Sequence, residues 1–322
     1  MPDVITLGEL IIDFVSTKED VSLKDAPGFT KAPGGAPANV AVGVVRLGRS
    51  AGFIGKVGDD PFGHFLADVV RKEGVDISNM SYSKEARTAL ALIAVLSDGS
   101  KDIFFYRNPG ADMTLSPDDF DDDYIKSAKA FHFGSISLID KLPRKATLHA
   151  LAMAKRNGLL ISYDPNYRPS LWPSEDEARA RMPSVLERCD VVKISEEEWE
   201  VVTGTRDFEA GCDKVLAAGP QLVVISMGER GCYYKTAKGS GRVEPFKVKV
   251  AETIGAGDGF TAAVLVQLLD EIEAGQTIET IPDDRMKSIL RFANAVGALT
   301  CTKIGAIPAL PTREEAERFY KG

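Results

Sequence analysis

Ala130–Phe133 (AFHF), Leu142–Asn157 (LPRKATLHALAMAKRN) and Leu159–Asp164 (LLISYD) are the stretch whose reading decides the fold. The first and last are short apolar runs of strand length. The middle one carries apolar residues at helical spacing and is ended by Gly158. The alternation continues through a helix at Glu175–Cys189, a strand at Val191–Ile194, helices at Glu196–Val202 and Cys212–Ala218, and a strand at Leu222–Ser226. Buried strands separated by helices predict an α/β fold with a doubly wound, mostly parallel sheet flanked by helices. Upstream, Val4–Leu7 and Ala51–Val57 add strands, and Asn39–Leu47 and Phe62–Glu73 add helices. Downstream, Cys232–Thr236 and Arg242–Lys249 read as an antiparallel pair, followed by helices at Gly259–Ile272 and Asp283–Cys301.

Two regions break this rhythm. Residues 16–33 are polar and have no helical period, while Thr88–Ser97 and Lys101–Tyr106 are strand-like around the turn signal Asp98-Gly99-Ser100. The expectation is one α/β domain over residues 1–322, with a small β-sheet lid built from about 14–33 and 88–107.

Composition narrows the function classes. The chain has 322 residues and a net charge of −8, which argues against nucleic acid or an anionic membrane as partner. Its apolar runs are too short to span a bilayer. Asp3, Glu9 and Asp13 within the first apolar stretch argue against a signal peptide. Four scattered cysteines and three histidines show no zinc spacing and fit a reduced, cytoplasmic protein.

Two nucleotide fingerprints fail. Gly55-Lys56-Val57 lacks the Ser/Thr and the first glycine of a P-loop, and no G-x-G-x-x-G opens the first βα unit. The stretch Glu252-Thr253-Ile254-Gly255-Ala256-Gly257-Asp258-Gly259 is different: its glycines run straight into an apolar helix. Backbone N–H groups at such a helix start attract phosphate, and small residues let it approach. A carboxylate there repels phosphate unless it works as a base toward an attacking hydroxyl, which is the role Asp258 suggests. A glycine-rich turn with Asp258 as helix cap is the plainer alternative.

Gly255-Ala256-Gly257-Asp258, preceded by Thr253, resembles the second signature of the ribokinase-like (PfkB) carbohydrate kinases. Gly34-Gly35-Ala36-Pro37-Ala38-Asn39, followed by Gly55-Lys56-Val57-Gly58-Asp59, resembles the first, in the family's order. The resemblance extends over essentially the whole chain. It implies a ribokinase-like fold, ATP with Mg²⁺, Asp258 as base and Gly255, Ala256 and Gly257 as anion hole. By the same resemblance, Ser226, Gly228, Glu229 and Gly231 with Lys193 and Asn294 contact the nucleotide. Asn294 on an apolar helix face reads equally well as a satisfied core amide. The family's Asn-x-x-Glu motif is here Ser195-Glu196-Glu197-Glu198, so the Asn is lost and Glu198 remains as a water-mediated Mg²⁺ group. A solvated first helical turn is the alternative for that acidic run. A K⁺ site is implied at Glu252, Ile254, Thr300, Lys303 and Gly305, where a turn that simply packs on the glycine loop is the alternative. Ala309 departs from the hydroxyl residue some relatives carry.

Asp13, Gly34, Gly35 and Asn39 match the family's sugar site. Two further segments, Phe105 to Met113 and Asp164 to Pro173, resemble those of bacterial and plant fructokinases, and place Arg107 near the sugar and Arg168 near the sugar or the transferred phosphoryl group. Structural pairing with a carboxylate is the alternative for either arginine. The implied activity is ATP-dependent phosphorylation of fructose at O6. The alternatives are 2-keto-3-deoxygluconate kinase, another pentose or hexose kinase, or a non-catalytic sugar-binding regulator. A homodimer through the lid is the expected assembly.

Overall fold

The structure, a computed structural model, describes residues 1–96 and 101–322, and only the backbone of Lys101. The expected turn at Asp98-Gly99-Ser100 lies outside the described residues, as does Ser97.

In chain order the strands are β1 (Val4–Leu7), β2 (Ile11–Ser16), β3 (Phe29–Gly34), β4 (Ala51–Gly58), β5 (Met80–Ser83), β6 (Leu90–Val95), β7 (Lys101–Tyr106), β8 (Ala130–Gly134), β9 (Leu160–Asp164), β10 (Val191–Ser195), β11 (Leu222–Ser226), β12 (Cys232–Lys235) and β13 (Ser240–Val243). Nine of them form one sheet in the order β13-β12-β11-β10-β9-β8-β1-β4-β5. From β11 to β5 every neighbouring pair is parallel, and β12 and β13 close one edge antiparallel. Every residue of β1, β8 and β9 is buried, as expected for strands covered on both faces.

Helices Ala36–Arg46, Ala256–Glu273 and Asp283–Thr300 pack into one apolar layer, and Lys141–Arg156, Glu196–Thr203 and Phe208–Ala217 into the other. Because β1 is flanked by β4 on one side and β8 on the other, the strand order reverses there. The C-terminal ends of β1, β8, β9 and β10 therefore border the crevice where open α/β sheets take ligands.

Above that crevice stands the second sheet, ordered β3-β2-β6-β7, with β2 and β6 parallel and the outer pairs antiparallel. Ile11, Ala89, Ala91 and Ile93 form its buried apolar cluster, with Ile103, Phe105 and Ile254 packed against it.

Several boundaries differ from the sequence reading, and two bear on the site. The helix expected from Asn39 begins at Ala36, so Asn39 lies in its first turn behind Gly35 and Pro37. The helix expected from Gly259 begins at Ala256, so Asp258 is a first-turn residue and Gly255 is the N-cap. Asp258 is therefore not the helix cap. Elsewhere, the run Glu175–Cys189 is α-helical only to Arg181 and then tightens into a 3₁₀ segment at Met182–Arg188, where Pro183 supplies no N–H. The last strand stops at Val243, two residues before Pro245. Among the described residues no helix is long and apolar enough to cross a membrane.

Candidate active site

A cavity of about 410 Å³ opens between the small sheet and the C-terminal ends of the parallel strands. Asp13, Asn39, Arg107, Arg168, Lys193 and Asp258, residues spread over 246 positions of sequence, all line it, as do Gly35, Ile254, Gly255 and Gly257.

The helix Ala256–Glu273 presents its first turn to the cavity. Gly255 caps it at φ 81°, and no side chain accepts its free N–H groups. Glycine is required at Gly255, since a Cβ there would approach the Cα of Ala306 to 2.9 Å. A Cβ on Gly257 would come to 3.1 Å from Lys193 Nζ, so an ammonium stands beside the open turn. Backbone N–H groups, the helix dipole and a lysine thus converge on one spot, which suits an anion in a protein of net negative charge.

Asp258 is half-buried in this first turn. Asn39 Nδ2 donates to its Oδ2 at 2.7 Å. Withdrawal from water, reinforced by the charge of Asp164, pushes the Asp258 carboxyl up to about 6, although Asn39, Lys193 and Arg168 favour its ionised form. A carboxylate set in that range is suited to take a proton near neutral pH. Asn39 Oδ1 is buried without a partner, which leaves an acceptor for a ligand hydroxyl.

Lys193 is buried on β10 and donates to Asp164 Oδ2, on the paired end of β9, at 3.0 Å. Burial works against its charge, but Asp164, Glu198 and Asp258 together hold its pKa above the ordinary lysine value. Thr261 also donates to Asp164 Oδ2, while Asp164 Oδ1 is buried with no partner. Glu198 is buried too: its oxygens accept the N–H of Ser195 at 2.8 Å and of Tyr167 at 2.6 Å, which pins the loop after β9 to the start of a helix. It is therefore unlike its neighbour Glu197, which is exposed.

Gly34 owes its identity to Asp13. Gly34 pairs with Ile11, two positions from Asp13 on the neighbouring strand, and a Cβ on Gly34 would fall 2.1 Å from Asp13 Oδ2. Arg107 is buried, donating from Nε to Asp112 at 2.5 Å and from Nη1 to Asp140 at 3.5 Å. Arg168 has no carboxylate within ion-pair distance among the described residues, and bonds only the carbonyl of Tyr167, at 3.2 Å.

The remaining expected residues lie outside the cavity lining. Ser226, Gly228, Glu229 and Gly231 form the turn after β11; Ser226 is in register with Ser195, so this turn shares the C-terminal edge of the sheet with Lys193. Asn294 donates to the carbonyls of Val243 and Glu244 and holds the chain leaving β13. Glu252 is buried and accepts the Gly305 N–H at 2.6 Å, Thr300 donates to the carbonyl of Val296, and Lys303 faces Glu315. These four belong to two backbone segments joined by the bonds of Ala251 and Glu252 to Cys301, next to Ile254, which itself lines the cavity.

Sequence reading missed Glu9, Asp112 and Asp164. Glu9 follows β1 directly, is buried, lines the cavity and accepts the Ala36 N–H at 3.2 Å. The one signal available was a lone carboxylate ending an apolar strand, shared by Glu9 and Asp164.

Comparison with known proteins agrees with this geometry. The model of the pfkB family carbohydrate kinases matches residues 1–313. The chain is 48% identical over 324 residues to probable fructokinase-3 of Arabidopsis thaliana, covering 99% of this chain and 91% of that protein. The solved fructokinase of Xylella fastidiosa with bound ATP superposes with a TM-score of 0.91 at 33% identity, over 100% of this chain and 99% of that one. A double mutant of the Vibrio cholerae fructokinase, solved with fructose, ADP and a potassium ion, superposes with a TM-score of 0.87 at 30% identity, over 99% and 98% of the two chains. The match of the family model over residues 1–313, on a fold that sets a glycine-opened helix and its carboxylate under a small sheet, means that this chain belongs to the pfkB family of carbohydrate kinases.

Proposed function

We propose that the protein is an ATP-dependent fructokinase, transferring the γ-phosphoryl group to O6 of fructose. The observation that carries the reading is Asp258: a carboxylate held by Asn39 in the first turn of a helix whose free N–H groups and neighbouring lysine suit phosphate. The names of the relatives supply the sugar.

In this reading Asp13 and Asn39 Oδ1 accept hydroxyl protons of the sugar and orient it. Asp258 takes the O6 proton as O6 bonds to phosphorus, and ADP leaves with the electrons of the broken P–O bond. Charge gathering on the transferred group is met by the first-turn N–H groups of Gly257 and Asp258, by Lys193 and by Arg168. The turn Ser226–Gly231 and Asn294 flank the nucleotide. Among the described residues no three His, Cys, Asp or Glu side chains gather to hold a metal outright. The unpartnered Asp164 Oδ1 and nearby Glu198 fit Mg²⁺ held chiefly by water and nucleotide oxygens. That ion would supply neutralising charge to the phosphates.

A coupled assay of ATP turnover over a panel of sugars tests the reading. Fructose is expected to lead, and phosphorylation of 2-keto-3-deoxygluconate far faster than fructose would replace it.

Three outcomes follow from particular residues. Since the base must be ionised, the acid limb of kcat/KM should fall about tenfold per unit below about 6. A profile flat to pH 5 would remove Asp258 from the role. Gly34→Ala should displace the Asp13 carboxylate and raise KM for fructose about ten- to a hundredfold, the worth of one charged hydrogen bond, with KM for ATP little changed. A K⁺ ion beside Glu252 would steady the glycine loop, so activity should rise modestly when K⁺ replaces a bulky organic cation at constant ionic strength. Glu252→Ala should abolish that rise, and equal rates in both salts would mean that the Glu252–Gly305 contact alone holds the loop.

The small sheet is proposed as a lid that closes on the sugar. Its edge strand β7 turns Phe105 toward the cavity and leaves Phe104 and Tyr106 55% and 60% exposed, which suits pairing of two lids in a homodimer. A cytoplasmic location belongs to the same reading, supported by four cysteines that form no disulfide among the described residues.

A further inference from the structure

Glu9 and Arg107 bring to the cavity wall one face of a charge cluster that the mechanism above does not use. Arg107 is shared by Asp112 and Asp140, and Glu9 stands beside them without an ion pair of its own among the described residues. Four separate segments supply these groups: the end of β1, the end of β7, the 3₁₀ turn Ala111–Thr114 and the residue before helix Lys141–Arg156. Glu9 is 6% exposed, Arg107 6% and Asp112 5%. Glu9 and Asp112 with one guanidinium would carry a net charge of −1 away from water if both were ionised, and the partly exposed Asp140 adds to it, a costly arrangement that one bound proton relieves.

Of the cationic donors that line the cavity, Lys193 is bonded to Asp164 and, with Arg168, is assigned above to the phosphoryl group. Asp13, Asp258 and Asn39 Oδ1 all offer acceptors, the Asn39 amide donates to Asp258, and Arg107 is already engaged by two carboxylates. Sugar hydroxyls both donate and accept, so a further donor beside these acceptors would complement the sugar oxygens.

We propose that Glu9 is a sugar-binding residue that works in its neutral form, holding the Ala36 N–H at the head of the helix that carries Asn39 while giving its proton to an oxygen of the sugar. The inference rests on this cavity being the sugar site. It is supported by the state of the group: burial, with the Asp112 charge adding to it, raises the Glu9 carboxyl to about 7, against the pull of Ala36 and Arg107. A carboxylic acid kept neutral by its surroundings so that it can donate is an established device of polar sites. The charged groups facing Glu9 are Arg107, Asp112 and, through Arg107, Asp140; Asp13 and Asp258 face it across the cavity.

The test is calorimetric binding of fructose to the intact protein between pH 6.5 and 8.5, above the range in which Asp258 titrates. The dissociation constant should rise toward tenfold per pH unit above about 7, and comparison of two buffers of different ionisation enthalpy should show close to one proton (about 0.7–1) taken up per fructose bound at pH 8. Glu9→Gln keeps an acceptor for Ala36 and a fixed N–H donor, so its affinity should be independent of pH and its binding free of proton uptake. A wild-type affinity that is flat over this range with no proton uptake overturns the proposal, as does an unchanged pH dependence in Glu9→Gln. The wild-type proton count decides the matter even if the variant does not fold. Fructose binding without proton uptake refutes Glu9 alone; no binding or phosphorylation of any sugar refutes the sugar-kinase reading as well.

Discussion

Asp258→Asn is expected to lower kcat by about 10²–10⁴ while leaving the fold and nucleotide affinity in place, because an amide keeps the shape of the group but cannot take a proton. The asparagine carbonyl can still accept from Asn39 Nδ2, so the first turn of the helix should keep its geometry. Stability offers an independent control with a definite sign. The folded protein holds the Asp258 carboxyl at about 6, above its ordinary 3.8, so its proton stabilises the fold at low pH and that contribution is lost as pH rises through 6. At pH 7–8 the variant should therefore melt at or above the wild-type temperature, with the difference closing as pH falls from 6 toward 4. Near-normal turnover in the folded variant would end the assignment of Asp258 as base. Lost turnover together with a lowered melting temperature at pH 8 would point to damage rather than chemistry.

What the sequence made legible follows from where the signal resides. The sheet was readable because β8 and β9 are buried on both faces, which forces unbroken apolar runs such as Leu160–Tyr163. The strand Phe29–Gly34 was not: it pairs only with β2 at the edge of the small sheet, carries Lys31 and Pro33, and shows no alternation. Its place is set by partners rather than by its own residues. β5, four residues at the edge of the large sheet, was missed for the same reason.

The site divides in the same way. Asp258, Gly255 and Gly257 stand together in sequence because one helix start needs them together, so the motif could be read. Asn39 was expected at the sugar, but its amide also holds Asp258, a link across 219 positions that no local pattern records. Glu9, Asp112 and Asp164 are single carboxylates whose meaning comes from neighbours brought by other elements. Glu198 was legible as a match to a motif, yet its two backbone N–H partners, which fix its position, became visible only once the loop after β9 was folded against it.

The second large effect is expected at Lys193. Its ammonium and Asp164 are buried to 9% and 6% side-chain exposure and lie 3.0 Å apart, beside the open turn at Gly257. Lys193→Met leaves Asp164 buried without its cation, and breaking one side of such a pair costs about 3–5 kcal/mol. The remaining donor to Asp164 Oδ2 is Thr261 at 3.3 Å, a weak substitute. The same change removes a positive charge that helps keep Asp258 ionised, so the acid limb of the pH profile should move above 6. Asp164→Asn on the Lys193→Met background removes the uncompensated charge, and should recover most of the lost stability in a chemical denaturation series. It should not recover kcat, because the cation beside the phosphate site is still missing. A double variant as unstable as Lys193→Met alone would show that the lysine stabilises through its packed alkyl chain rather than through Asp164. Recovery of both stability and turnover would mean that the N–H groups at the helix start handle the phosphoryl charge without it.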